Sequence, residues 1–254
     1  MLTERATTEF LGVAFANLGY EEVLVELDRL SRSERFSYVV TPNVDHVVLL
    51  HEHEDEGVRK RFNEAYSAAA LRLCDSRILQ LLAKLRGTRL DVVTGSDLTA
   101  ILFKEGHLNG RKVAIIGGDE AMLPELRARF PAIDLVQHIP PMGVLRNPEA
   151  IADIEAFLAS ASCDYALFAF GAPQSEIVAH QSLGTDRSRG VGICVGASIE
   201  FVLGRKPRAP VWMQRLALEW LHRLIKEPRR LSKRYLVEGP QILKLLIQSK
   251  PEAH

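Results

Sequence analysis

Apolar runs of strand length recur along the chain, each closed by turn residues: FSYVV (36–40), KVAII (112–116), DYALFAF (164–170) and GVGICV (190–195). FLGVAF (10–15), RLC (72–74) and DLVQHI (134–139) are less regular versions of the same pattern. Between them the apolar positions repeat with helical period, over 20–31, 44–53, 77–86, 97–106, 121–129, 147–160 and 174–182. Strands alternating with helices predict a mainly parallel sheet with helices on both faces, an α/β fold. The unbroken apolar character of the middle strands fits a sheet buried on both sides. After Gly204 the texture changes to amphipathic helices, two proline breaks and many basic residues. The expected organisation is a catalytic α/β body over 1–204 and a basic helical appendage over 205–254.

Charge sharpens that division. The 254 residues balance 32 Lys and Arg against 32 Asp and Glu. From Arg205 onward, however, 12 basic residues face 4 acidic ones, a net +8, which leaves −8 on the first 204 residues. A basic tail on an acidic body predicts that the tail meets something anionic, whether phosphate, nucleic acid or a membrane surface. The three cysteines, Cys74, Cys163 and Cys194, are widely spaced and lie in or beside apolar runs, which reads as reduced core thiols in a cytoplasmic protein. The first residues lack the basic-then-apolar order of a signal peptide, and no run of 18 apolar residues occurs. Any membrane association is therefore expected to be peripheral.

In open α/β sheets ligands bind outside the carboxyl ends of the strands, so the residues just after each run are where chemistry is sought. Asp75 is a bare carboxylate at the tip of a short apolar run. Gly117 and Gly118 follow a strand in IIGGDE; the turn either lets backbone N–H groups approach a phosphate or is simply a tight strand-to-helix link, since G-x-G-x-x-G is absent. FGAPQSE (170–176) and CVGASIEF (194–201) have the same form, with Pro173 suited to a first helical turn and Ser198 to a cap. Thr41 and Asn43 in TPN either shape and cap the next helix or hydrogen-bond a sugar. HEHEDE (51–56) ends a helix, lacks metal-ligand spacing and reads as a solvated face. The tail around Arg223, Arg230 and Arg234 is either a helix hairpin with a solvated basic face or an interfacial element that offers arginines to phosphates.

Taken in order, LGVAFANLGYEEVL, TPNVDHVVLL, VTGSDL, VAIIGG, FGAPQSE, VGASIEFVLG and RAPVWMQRLALEWLHRLIKEPRRL resemble the WecG/TagA/CpsF family of bacterial glycosyltransferases. The resemblance implies a Rossmann-like domain with a C-terminal appendage. It implies inverting sugar transfer from a UDP-sugar with no cofactor and no metal. The donated sugar would be N-acetylmannosamine, its uronic acid or a hexose such as glucose. The acceptor would be a sugar on a polyprenyl diphosphate at the inner face of the cytoplasmic membrane, within cell-surface polysaccharide synthesis. By that resemblance Asp75 is the general base. The mechanism that follows is expected to set Thr41, Asn43 and Arg77 at the substrate, Gly117, Gly118, Gly171, Pro173, Gln174, Glu176, Gly196 and Ser198 at the donor nucleotide, and Arg223, Arg230 and Arg234 at the acceptor diphosphate. The turn reads CDSR where the family has a P-D-G-like sequence, and GAPQSE replaces the commoner G-A-P-K-Q-E. Val92 stands where the family often has arginine, and Arg77 is expected to supply that charge. A homo-oligomer is compatible with this reading. Two rivals stand beside it: a nucleotide-cofactor enzyme such as a dehydrogenase or methyltransferase, and a non-catalytic nucleic-acid-binding protein. The missing glycine motif weighs against a dehydrogenase, and the acidic body weighs against nucleic acid.

Overall fold

The computed structural model describes residues 7–184, 188–210, 212–213, 216, 218–232, 236 and 239–249. Its centre is a six-stranded, all-parallel sheet. The strands are β3 (Ser37–Val40), β4 (Leu71–Arg72), β5 (Lys112–Gly117), β6 (Asp134–His138), β7 (Tyr165–Ala169) and β8 (Val191–Cys194), in spatial order β4-β3-β8-β7-β5-β6. Chain order therefore runs outward to one edge, then to the other, and returns through the middle. Every strand points the same way, so all the carboxyl ends line one edge of the sheet.

Alternation along the strands explains the layers. In β5, Ala114 and Ile116 face one apolar cluster, and Val113 and Ile115 face the other. Residues two apart share a face, so one unbroken apolar run fills two cores. On the first face lie α2 (Val44–Glu52), α3 (Glu56–Ala68), α4 (Arg77–Leu85), α7 (Pro148–Ala161) and α8 (Gln174–Gln181). On the second lie α1 (Tyr20–Ser31), α5 (Gly95–Lys104), α6 (Met122–Arg129) and α9 (Ser198–Val202). The α/β sheet expected from the sequence is what the chain forms, and it is Rossmann-like.

Two regions differ from the sequence reading. The run at 10–15 is not one strand of the sheet but the middle of an antiparallel hairpin, β1 (Thr7–Phe10) with β2 (Val13–Ala16). Leu11 and Gly12 form its two-residue turn with φ of +50° and +74°, the primed geometry that fits strand twist and that glycine favours. The helix α3 was not expected either. Only Phe62, Ala65 and Tyr66 of its thirteen residues are buried, too few to show a stripe in the sequence. HEHEDE serves this corner structurally: His51 Nε2 lies 3.0 Å from the Leu11 carbonyl, and Asp55 caps α3 through the Val58 N–H.

Beyond Gly204 the described helices are α10 (Glu219–Lys226), α11 (Pro228–Ser232) and α12 (Gln241–Gln248). The last of these sends Ile242 and Leu245 into the first apolar cluster, against α2. Among the described residues no helix is long and apolar enough to cross a membrane. All three cysteines are buried and unpaired, and burial pushes the thiols up, Cys163 to about 11 and Cys74 to about 12.

Candidate active site

A cavity of about 540 Å³ opens at the carboxyl edge of the sheet. Thr41, Asn43, Asp75, Gly117, Gly118, Gly171, Gln174, Glu176, Gly196 and Ser198 all line it. Ten positions read from five separate stretches of sequence thus meet in one place, because each follows a parallel strand or opens the helix after it. Pro173 does not line the cavity. It holds the N-cap position of α8 rather than the first helical turn, and the helix begins one residue later. Ser198 is not a cap, since α9 starts at that residue and Ala197 precedes it.

The turn after β5 is shaped by close approach. Gly117 has φ of +103°, and a Cβ there would meet the Ala169 carbonyl at 3.1 Å and the Phe170 ring at 3.0 Å. Only glycine occupies that backbone region without strain. The Gln137 carboxamide donates to the carbonyls of Gly117 (2.8 Å) and Asp119 (3.1 Å), which locks the turn from the side of β6.

On the opposite wall, Asp75 emerges between two short pairings. Its N–H donates to the Pro42 carbonyl at 2.9 Å, and the Cys74–Val92 bridge extends the sheet edge just before it. Ser76 then caps α4 by accepting from the Leu79 N–H at 3.2 Å. The carboxylate is therefore held between a strand end and a helix start, on rigid backbone. Asn43 caps α2 with its carboxamide oxygen, accepting from Asp45 N–H (3.0 Å) and His46 N–H (3.4 Å). That commitment leaves its NH₂ donors as the end that can serve a ligand. Thr41 is buried and donates to the Cys194 carbonyl at 3.3 Å, tying β3 to β8.

Glu176 is the buried acid of the site. It is 2% exposed, and its Oε2 has no hydrogen-bond partner among the described residues. Burial pushes its carboxyl up to about 7, and the Asp45 carboxylate adds to the rise. α8 is covered on nearly every side, with residues 175–179 all buried, so its first turn carries the carboxyl into the interior.

A second cavity, of about 400 Å³, adjoins the first. Asn43 and Asp75 line both. Its walls are otherwise largely apolar: Val44, Ile78 and Leu82 from the body, and Trp220, Ile242 and Leu243 from the appendage. Arg77 lines this second cavity and not the first, so the charge read as a substitute for an arginine at position 92 lies on the appendage side of Asp75. The other nearby arginine is already occupied: Arg72 donates to the carbonyls of Ala14, Tyr66 and Ala69. Of the three tail arginines, only the backbone is described at Arg223 in α10 and Arg230 in α11, and Arg234 lies outside the described residues.

The sequence reading missed several cavity residues. His46, whose Nδ1 lies 3.1 Å from the Tyr66 hydroxyl, faces the first cavity one turn after the capping asparagine. Asp119, Glu200 and Leu231 also line it. Asp119 directly follows the Gly117-Gly118 turn and Glu200 lies two residues past the Gly196–Ser198 turn, so proximity to those turns is a usable signal. Leu231 comes from the appendage, and nothing in its local sequence marks it.

A doubly covered parallel sheet with small-residue turns and a carboxylate along its carboxyl edge is the architecture of nucleotide-using α/β enzymes. Within that class the chain belongs to the glycosyl transferase WecG/TagA/CpsF family, whose pattern matches residues 8–254, and it is a glycosyltransferase. Similar proteins include the N-acetylglucosaminyldiphosphoundecaprenol N-acetyl-beta-D-mannosaminyltransferases of two Staphylococcus aureus strains, MRSA252 and MW2. Each is 24% identical over 237 residues, covering 90% of this chain and 88% of the relative.

Proposed function

We propose that the protein transfers a sugar from a UDP-sugar, with inversion and without a metal, to a sugar carried on a polyprenyl diphosphate. The observation that carries this reading is that Asp75 lines two unlike cavities at once, one walled by small-residue turns and one largely apolar and closed by the appendage. A transferase with a nucleotide donor and a lipid-linked acceptor needs those two environments to meet at its base. Asp75 takes the proton of the acceptor hydroxyl as that oxygen bonds to the anomeric carbon. The bond from that carbon to UDP breaks on the opposite face, and UDP leaves with the electron pair. A carboxylate in hydrogen-bond reach contributes about 10²–10⁴-fold to such a step. Backbone N–H groups of the Gly117-Gly118, Gly171–Gln174 and Gly196–Ser198 turns receive the leaving diphosphate. Asn43 orients a sugar hydroxyl beside the base.

The staphylococcal relatives are named for N-acetylmannosaminyl transfer to a diphosphoundecaprenol-linked N-acetylglucosamine. N-acetylmannosamine is accordingly the first donor sugar to try. Arg77 and the tail residues Arg223, Arg230 and Arg234 serve the acceptor diphosphate at a membrane surface, where the appendage lies peripherally. The domain division at Gly204 belongs to the same reading. The test is UDP release from a panel of UDP-sugars with a short-chain polyprenyl-diphosphate sugar, using Asp75→Asn beside the wild type. Acceptor-dependent release with one donor is expected, lost at least 10²-fold in Asp75→Asn while UDP still binds. Transfer that persists undiminished in Asp75→Asn would remove Asp75 from the role of base.

A further inference from the structure

The cavity assigned to the donor has an electrostatic difficulty. Four carboxyl groups line it, those of Asp75, Asp119, Glu176 and Glu200, and among the described residues no lysine or arginine does. A nucleoside diphosphate brings further negative charge into that wall, and like charges brought together repel.

The appendage resolves this with its first two residues. Arg205 Nη1 lies 2.7 Å from Asp119 Oδ2, while its Nη2 and Nε grip Glu125 at 2.7 and 3.2 Å. Lys206 Nζ pairs with the Glu200 carboxylate. The chain is seated to make these contacts, because the Arg205 N–H donates to the Glu200 carbonyl at 2.9 Å as it leaves α9. The Arg205 guanidinium is mostly covered, and its fork on Glu125 fixes it over Asp119. Such bidentate, networked pairs hold their geometry where single surface pairs do not.

We infer that Arg205 and Lys206 are positioning residues of the donor site, which cancel the Asp119 and Glu200 carboxylates so that the diphosphate of a UDP-sugar can be seated on the glycine turns. This rests on the donor reading proposed above and adds a second role for the appendage, on the donor side of Asp75. Neither residue lines the cavity, so the effect runs through the acids and not through contact with the phosphate.

The experiment is calorimetric titration of the full-length protein with UDP and, separately, with uridine, at low ionic strength. Arg205→Gln and Lys206→Gln are each expected to weaken UDP binding roughly fivefold while leaving uridine binding unchanged. Added salt should shrink that deficit. Arg205→Gln combined with Asp119→Asn, and Lys206→Gln combined with Glu200→Gln, should return UDP affinity to within about twofold of wild type. Arg205→Lys keeps the charge, so it should bind UDP nearly as the wild type does and guards against loss of folding in the neutral variant. Equal losses for uridine and UDP would overturn the inference in favour of a purely structural role. Double variants as weak as the single ones would overturn it in favour of direct phosphate contact. A folded wild type that binds no UDP would overturn the donor reading itself, and this inference with it.

Discussion

Glu176 shows what a single residue can cost and why it is worth measuring. Its carboxyl is buried, has no partner for Oε2 among the described residues, and is pushed up to about 7, chiefly by desolvation. Asp45 faces it from α2, and the neighbouring Tyr38, Tyr66 and Cys194 from β3, α3 and β8 are raised chiefly by burial, to which Glu176 adds. The folded value lies above the unfolded one, so the folded chain binds more protons between about 4.5 and about 7. Stability from this group is therefore full below pH 4.5, falls as the pH rises to about 7, and is level above that. Glu176→Gln should flatten that fall and raise stability at pH 8 by about 1–3 kcal/mol, read from urea unfolding at pH 5 and pH 8. A variant with the same pH profile as wild type would show that the carboxyl is solvated in solution. Sequence pattern marked Glu176 as a site residue, but not as a buried one, because burial follows from α8 being covered on all sides and not from its own neighbours.

At the scale of elements, what was legible was what one strand or helix writes in its own residues. The runs KVAII and DYALFAF were readable because a strand buried on both faces needs every residue apolar. The turns after them were readable because glycine and small residues mark close approach. The hairpin β1–β2 was not, since a leucine takes one of its two left-handed turn positions and gives no turn signal. α3 was not, since Arg, Lys, Glu and Asn cover most of its surface. The meeting of ten site positions in one cavity is a property of strand order, and no stretch of sequence contains it. The glycine turns offer a direct contrast. Gly117→Ala forces a side chain into φ of +103° against a backbone carbonyl, and is expected to cost about 1–3 kcal/mol and to weaken UDP binding. Gly171→Ala meets nothing within 4 Å and its φ is not positive, so it should melt as wild type does. Melting temperature checks both, and UDP titration checks the first. Equal behaviour of the two variants would mean that the turn after β5 is not held as described.

Across the whole molecule the −8 body and the +8 appendage are not strangers joined by a linker. Arg205 with Asp119 and Glu125, Lys206 with Glu200, Arg208 with Asp97 and Lys244 with Glu52 bind one to the other along a seam. Part of the basic excess read as intended for a membrane is thus spent inside the molecule. Apolar contacts reinforce the seam: Leu231 closes over the first cavity, and Ile242 and Leu245 join the core beside α2. Yet all six strands of the sheet lie before residue 205, and so do all described members of the two clusters except Ile242, Leu245 and Leu246, so most of the core belongs to the body. A chain ending at Gly204 is expected to fold with the same far-UV dichroism per residue of sheet. It should be less stable by about 3–6 kcal/mol, since burial of two large aliphatic side chains is lost. It should bind uridine more weakly for want of the Leu231 wall, lose more affinity for UDP for want of Arg205 and Lys206 as well, and give little sugar transfer. The further loss with UDP reads the charges at the donor turns, and the loss of transfer at saturating UDP-sugar reads the apolar cavity beside Asp75. Full transfer by the shortened chain would mean that neither contribution is needed, and that Asp75 meets its acceptor without the helices that close over it.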